Sequence, residues 1–267
     1  MTGTPEADEE SIRTDLRAGV LTVTLDRPGR KNALDLAAFR RLAEVFRSVA
    51  RDSEIRAVVL AGAGGDFCAG ADVADDLTGH HPLRRMEMIN EAAQALHDLP
   101  MPTIASVAGV AVGAGWNLAL GCDLVVAERD ARFAQIFAKR GLSVDFGGSW
   151  LLPRLVGLQQ AKRLTLLAEL ISAQEASDLG LVTFLVEPGE ADARAAELAG
   201  QLAIGPAVAL AQTKRLLNDG LDATLRDSLE AEARAQSVNF GGTDAAAAFE
   251  AFLAKREPEF TGEWAFK

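Results

Sequence analysis

The order of apolar segments predicts an α/β protein whose C-terminal part is helical. Three observations carry this. Continuous apolar runs at Ile55–Ala61, Pro102–Val107 and Asp123–Ala127 have the character of parallel strands buried on both faces. Helical patterns separate them, which implies βαβ units. From about residue 147 onward the apolar period is almost entirely helical.

The elements follow in chain order. The acidic start, residues 1–10, reads as a disordered tail with no apolar core, so not as a signal peptide. Ser11–Leu16 and Val20–Leu25 alternate around Arg17-Ala18-Gly19, a hairpin pattern. After the turn-rich LDRPGRKNALD, Asp35 is placed to cap a helix over Leu36–Arg51. The run Ile55–Ala61 leads into the loop GAGGDFCAGADV. Pro82–Leu99 is a second helix, Pro102–Val107 a strand, GVAVGAG a loop, Ala114–Leu120 a short helix and Asp123–Ala127 a strand. Helices are predicted at Gly148–Val156, Gln159–Leu167 and Ala173–Leu179, and a strand at Leu181–Val186. Helices at Ala191–Ala203, Pro206–Asn218, Leu221–Val238 and Thr243–Lys255 complete the chain. Gly205-Pro206 marks the boundary between a core of residues 11–204 and a helical region of residues 205–267.

Composition narrows the function. The chain has 267 residues, 49% hydrophobic and 24% charged, enough for a core without staples. Its 27 basic against 38 acidic residues give a net charge of −11, unsuited to a nucleic-acid or anionic-membrane binder. The longest weakly polar stretch, Pro102–Leu120, is broken by three glycines and holds Asn117, so no membrane span is predicted. Two cysteines, Cys68 and Cys122, form no disulfide or zinc pattern, which places the protein in the cytoplasm by default. Tyrosine is absent, so phenol chemistry is excluded.

Two glycine-rich loops, Gly62–Asp72 and Gly109–Gly115, each follow a buried strand, where α/β proteins place ligands. Small residues there admit a ligand to the backbone, and a helix starting at Ala114 offers free N–H groups. Two N–H groups from separate loops could hold one carbonyl oxygen and stabilise negative charge on it. The alternative is that the glycines serve turns and close packing. Neither loop has a phosphate-cradling or dinucleotide signature. His80, His81 and His97 lack matched partners and read as solvated. Asp145, among Val144, Phe146 and Trp150, is either a desolvated general base or the cap of the helix that follows. Phe133, Phe137, Phe146, Trp116 and Trp150 could form an apolar pocket or ordinary core.

Six ordered segments, LDRPGRKNAL, AVVLAGAGGDFCAGADV, ASVAGVAVGAGWNLALGCDLVVA, FAKRGLSVDFGGSWLLPRLVG, SAQEASDLGLV and AFLAKREPEF, resemble the crotonase, or enoyl-CoA hydratase/isomerase, superfamily. The resemblance implies a crotonase-like spiral of ββα units, a C-terminal helical trimerisation region, and a homotrimer or dimer of trimers. It implies an acyl group carried as a coenzyme A thioester, with no permanently bound cofactor. By position it assigns the oxyanion hole to the N–H groups of Ala69 and Ala114. Ala69, Gly70, Ala71 and Asp72 would line the CoA path beside Gly113. Arg30 and Lys31 would meet the phosphates. Phe252 and Lys255 would reach a CoA site, commonly a neighbour's. Hydratases of the family carry two glutamates where this chain has Asn117 and Phe137. The Asp145 segment instead resembles the branch that isomerises ring-1,2-epoxyphenylacetyl-CoA and Δ3-enoyl-CoA. The expectation is an isomerase with one aspartate base. The alternatives are other acyl-CoA chemistry, hydrolytic or dehalogenase-like, and a non-catalytic acyl-CoA-binding paralogue.

Overall fold

The computed structural model describes residues 11–74 and 81–263. The predicted tail, residues 1–10, and His80 lie outside them. Strands β1 (Ile12–Arg17) and β2 (Val20–Leu25) form the expected hairpin. Helix α1 (Leu36–Val49) is capped by Asp35, whose side chain accepts the Ala38 N–H at 2.7 Å. There follow β3 (Ala57–Gly62), α2 (Pro82–His97), β4 (Thr103–Val107), β5 (Val110–Val112), α3 (Ala114–Leu120), β6 (Leu124–Glu128) and β7 (Arg132–Ala134). Then come α4 (Gly148–Leu167), β8 (Ile171–Ser172), α5 (Ala173–Asp178), β9 (Phe184–Val186) and α6 (Ala191–Ala203). Helices α7 (Ala207–Gly220), α8 (Leu225–Gly241) and α9 (Asp244–Leu253) end the described chain.

The large sheet has the order β1-β2-β3-β4-β6-β9, parallel from β2 onward. Its central strands are apolar throughout because both faces are covered. Val58 and Leu60 point into the main core with α1 and α3, whereas Ala57 and Val59 meet Ala191, Ala195 and Leu198 of α6.

A second sheet, β5-β7-β8, was not expected. Its strands are only two or three residues long, too short to show a period. Bridges Cys68↔Ala111 and Leu34↔Ala71 extend it. Each turn of the chain therefore gives one strand to the large sheet, one pairing to the small sheet, and then a helix. This is the predicted spiral of ββα units.

Several element ends shift by a few residues from expectation. The strand expected from Leu181 begins at Phe184, and α8 begins at Leu225 rather than Leu221, where the Thr224 hydroxyl and Asp227 form a capping box. The two helices expected on either side of residues 157–158 are both present within α4, separated by non-helical Gly157 (φ 74°, ψ 161°). Helix α7 is tied to the core by Lys214, whose ammonium lies 2.8 Å from Asp123 and donates to Met101 O.

Candidate active site

The two glycine loops do converge. In the first, Cys68 N–H donates to Val110 O, and Val112 N–H returns a bond to Cys68 O, both at 2.9 Å. Gly70 (φ 94°) passes so close that a Cβ would stand 2.7 Å from Val112 O. A Cβ on Gly115 would stand 2.7 Å from the Cys68 sulfur. Gly113, with φ 56° and ψ −125°, turns the chain from β5 into α3 in a conformation open to glycine alone. Helix α3 then starts at Ala114, which is buried, and its N–H meets no acceptor among the described residues.

The first loop's N–H groups are not equivalent. Ala69 N–H donates to Lys31 O at 2.9 Å, and Asp72 N–H to Leu34 O at 2.8 Å. Gly70 N–H faces the Cys68 sulfur at 3.4 Å. Ala71 N–H is the one left without an acceptor among the described residues, and Ala71 is exposed. The expected donor, Ala69, is thus already committed, because the carbonyl of Lys31 reaches across to it.

The remaining expected ligand residues are dispersed. Arg30 is exposed, and Lys31, beside the loop through that same bond, holds Asp66 at 3.3 Å. Asp72 is fastened to Arg27 at 3.2 Å, and its other oxygen accepts Ala74 N–H. Phe252 and Lys255 are exposed at the end of α9, which packs on α8 rather than on the glycine loops.

Asp145 lies in the turn before α4. Helix α4 takes Gly147 as its N-cap and receives no side-chain cap, so the capping role weighed for Asp145 is excluded. Oδ1 of Asp145 is buried and has no hydrogen-bond partner among the described residues. Burial pushes the carboxyl up from 3.8 to about 6, because nothing compensates the ionised form for lost water. The two thiols are pushed up to about 12 by burial and are no nucleophiles.

Of the two readings open for the aromatic residues, pocket or core, core holds for most. Trp116 packs on Phe133 with centroids 5.3 Å apart, and Phe146 on Phe39 at 5.9 Å. Phe137 does abut the site, its ring edge 3.6 Å from where a Gly113 Cβ would stand. Trp150 meets His97 edge-on at 5.3 Å, so His97 is half-buried rather than solvated. His81 accepts Leu83 N–H at the start of α2. Between α2 and α4 lies a cavity of about 510 Å³ lined by Asn90, Gln94, His97, Asn117, Gly147 and Trp150. Asn90 and Gln94 escape a sequence reading, since polar side chains on an amphipathic helix ordinarily signal solvent.

Asn117 is fully buried. Its Nδ2 donates to Asp145 O at 2.9 Å, and its Oδ1 accepts from Gln135 Nε2 at 2.8 Å. Both ends of the amide are occupied by protein, which does not fit the substrate contact that a residue at a hydratase-glutamate position is expected to make. Gln135 had no motif to mark it.

A ββα spiral with two converging N–H loops and one desolvated carboxyl defines a class of α/β enzymes that act on acyl thioesters. The chain belongs to the enoyl-CoA hydratase/isomerase family, the crotonases, whose model matches residues 15–263. It is 40% identical to the 1,2-epoxyphenylacetyl-CoA isomerase of Escherichia coli K12 over 260 residues, covering 95% of this chain and 99% of that one. It is 34% identical to the short-chain-enoyl-CoA hydratase of Clostridium acetobutylicum over 253 residues, 90% of this chain and 93% of that one. A crystal structure of a Streptomyces coelicolor protein assigned as an enoyl-CoA hydratase superposes with a TM-score of 0.92 at 40% identity, covering 98% of both chains. Family members act on CoA thioesters without a permanent cofactor. Among the described residues no helix is long and apolar enough to cross a membrane.

Proposed function

We propose that the protein is an acyl-CoA thioester isomerase with Asp145 as its single proton-transfer group. One observation carries the reading: among the described residues the site has a desolvated carboxyl whose Oδ1 is unpartnered; by the family resemblance, Asn117 and Phe137 stand where hydratases carry their two glutamates. Asp72 is no substitute, since Arg27 holds it.

The thioester carbonyl accepts from Ala71 N–H and Ala114 N–H, two donors without acceptors among the described residues. Asp145 removes a proton from the carbon next to the carbonyl. The electrons pass to the carbonyl oxygen as a dienolate, held by those N–H groups. Asp145, now protonated, returns the proton two carbons further along, and a Δ3 double bond becomes a Δ2 one. A ring-1,2-epoxide of phenylacetyl-CoA offers the same base a proton beside its carbonyl and is the second substrate class. Arg30 and Lys31 flank the loop and supply local positive charge for CoA phosphates. Phe252 and Lys255 serve a neighbouring subunit's CoA in a trimer or dimer of trimers. The buried, unpaired thiols accord with a cytoplasmic location.

Turnover of crotonyl-, Δ3-hexenoyl- and 1,2-epoxyphenylacetyl-CoA tests this. The expected result is isomerisation of one or both of the latter, with crotonyl-CoA hydration slower than in a two-glutamate hydratase by roughly 10²–10⁴, the worth of general acid–base help. Fast hydration would overturn it.

A further inference from the structure

The Asp145 carboxyl is placed through its backbone, because Oδ1 has no partner to hold it. That backbone is in an uncommon state. Phe146 and Gly147 both take left-handed conformations, φ 47° and 77°, and Phe146 is not a glycine. Such a turn persists only where its surroundings over-determine it. One anchor is the Phe146 ring, 2% exposed against Phe39. Another is the carbonyl of Asp145, which accepts Gly148 N–H within the turn and Asn117 Nδ2 from α3, both at 2.9 Å.

The Asn117 amide can face only one way. The Asp145 carbonyl can only accept, so it takes Nδ2, and Gln135 Nε2 holds the other end by donating to Oδ1. Gly148 leaves the room: a Cβ there would stand 2.7 Å from Asn117 Cγ. Asn117 sits three residues after Ala114 on the same short helix, so one side chain links the N–H donor's helix to the base's turn.

We propose that Asn117, oriented by Gln135, is a positioning residue that fixes the Asp145 carboxylate relative to the Ala114 N–H. The proposal rests on the isomerase reading of Asp145 and adds what holds it in register. A misplacement of about 1 Å can cost 10²-fold in rate.

The test uses the full-length protein and the better of the Δ3-hexenoyl and epoxyphenylacetyl thioesters, with Asn117→Ala and Gln135→Met. For Asn117→Ala, kcat should fall by about 10–100-fold while KM stays near wild type. Amide exchange across residues 142–149, read by mass spectrometry without substrate, should quicken. Gln135→Met keeps the Nδ2 donor but frees the amide to rotate, and should show both effects more weakly. It carries the test if Asn117→Ala does not fold. A purely structural role predicts a lower melting temperature with kcat unchanged in the folded protein, and that result overturns the proposal. Unchanged exchange in residues 142–149 overturns the anchor whichever way turnover falls. Inertness of the wild-type protein toward both thioesters instead overturns the isomerase reading.

Discussion

Asp145 is half-buried, with Oδ1 shut away from water, at a cost that grows with pH. Its folded pKa of about 6 lies above the ordinary 3.8, so the folded protein holds the proton more tightly than the unfolded chain. The sign follows: no penalty applies below about pH 3.8, and it develops between 3.8 and 6 and is complete above. Two pKa units correspond to about 3 kcal/mol at the alkaline plateau. Asp145→Asn removes the ionisation, so it should melt above wild type at pH 8 and close to it at pH 4, as calorimetry at both pH values would show. The same variant cannot accept a proton, and isomerisation should drop by about 10² or more while thioester binding by titration calorimetry is retained. Equal melting at pH 8 would argue that the carboxyl is not desolvated. Wild-type turnover by Asp145→Asn would remove it from the reaction. The rate of the unmodified enzyme should rise with pH to a plateau, with an apparent pKa near 6 for kcat/KM, because only the carboxylate is a base.

The element scale decides where the N–H donors stand. Helix α3 can begin at Ala114 only because its neighbours are glycines: Gly113 for its backbone angles, and Gly115 for its approach to Cys68. Gly115→Ala would place a methyl group 2.7 Å from the Cys68 sulfur in a closed core. Overpacking of this kind costs about 1–3 kcal/mol, and relief requires α3 to move with its donor. The expected outcome is a lower melting temperature together with reduced kcat. A stable variant of unchanged kcat would show that the donor's placement tolerates the shift.

The same scale shows which elements can be read from sequence. Strands β3, β4 and β6 announce themselves because two separate cores demand apolar residues on both faces. Val110–Val112 and Arg132–Ala134 do not, since three residues hold no period. Asp145 stands out from its apolar neighbours alone. Its tie to Asn117 spans 28 residues, and the bond that occupies Ala69 comes from Lys31, so both depend on how the spiral closes. A choice between Ala69 and Ala71 as donor is therefore beyond any local pattern.

For the whole molecule, net charge and local charge oppose each other. A chain of −11 repels a polyanion at a distance, and the role proposed for Arg30 and Lys31 is to attract it nearby. Assembly bears on this too, because Phe252 and Lys255 are the further contacts assigned to CoA. Helices α8 and α9 each bury a single residue, Ala235 and Ala251, within one chain. Leu217, Leu221, Leu225, Leu229, Phe249 and Phe252 are exposed along α7, α8 and α9. Burying a side chain of that size contributes about 1.5–3 kcal/mol, which would favour the proposed trimeric assembly over a lone subunit. Light scattering should therefore give three or six times the 28.2 kDa chain mass. Phe252→Asp, at a residue 81% exposed in the single chain, separates the possibilities. If α9 completes a neighbour's CoA site, the variant should weaken CoA binding, shift the assembly toward smaller species, and leave the secondary structure intact by circular dichroism. A wild-type monomer at micromolar concentration that binds CoA thioesters fully would show that one chain suffices and that α9 plays no part in a neighbour's site.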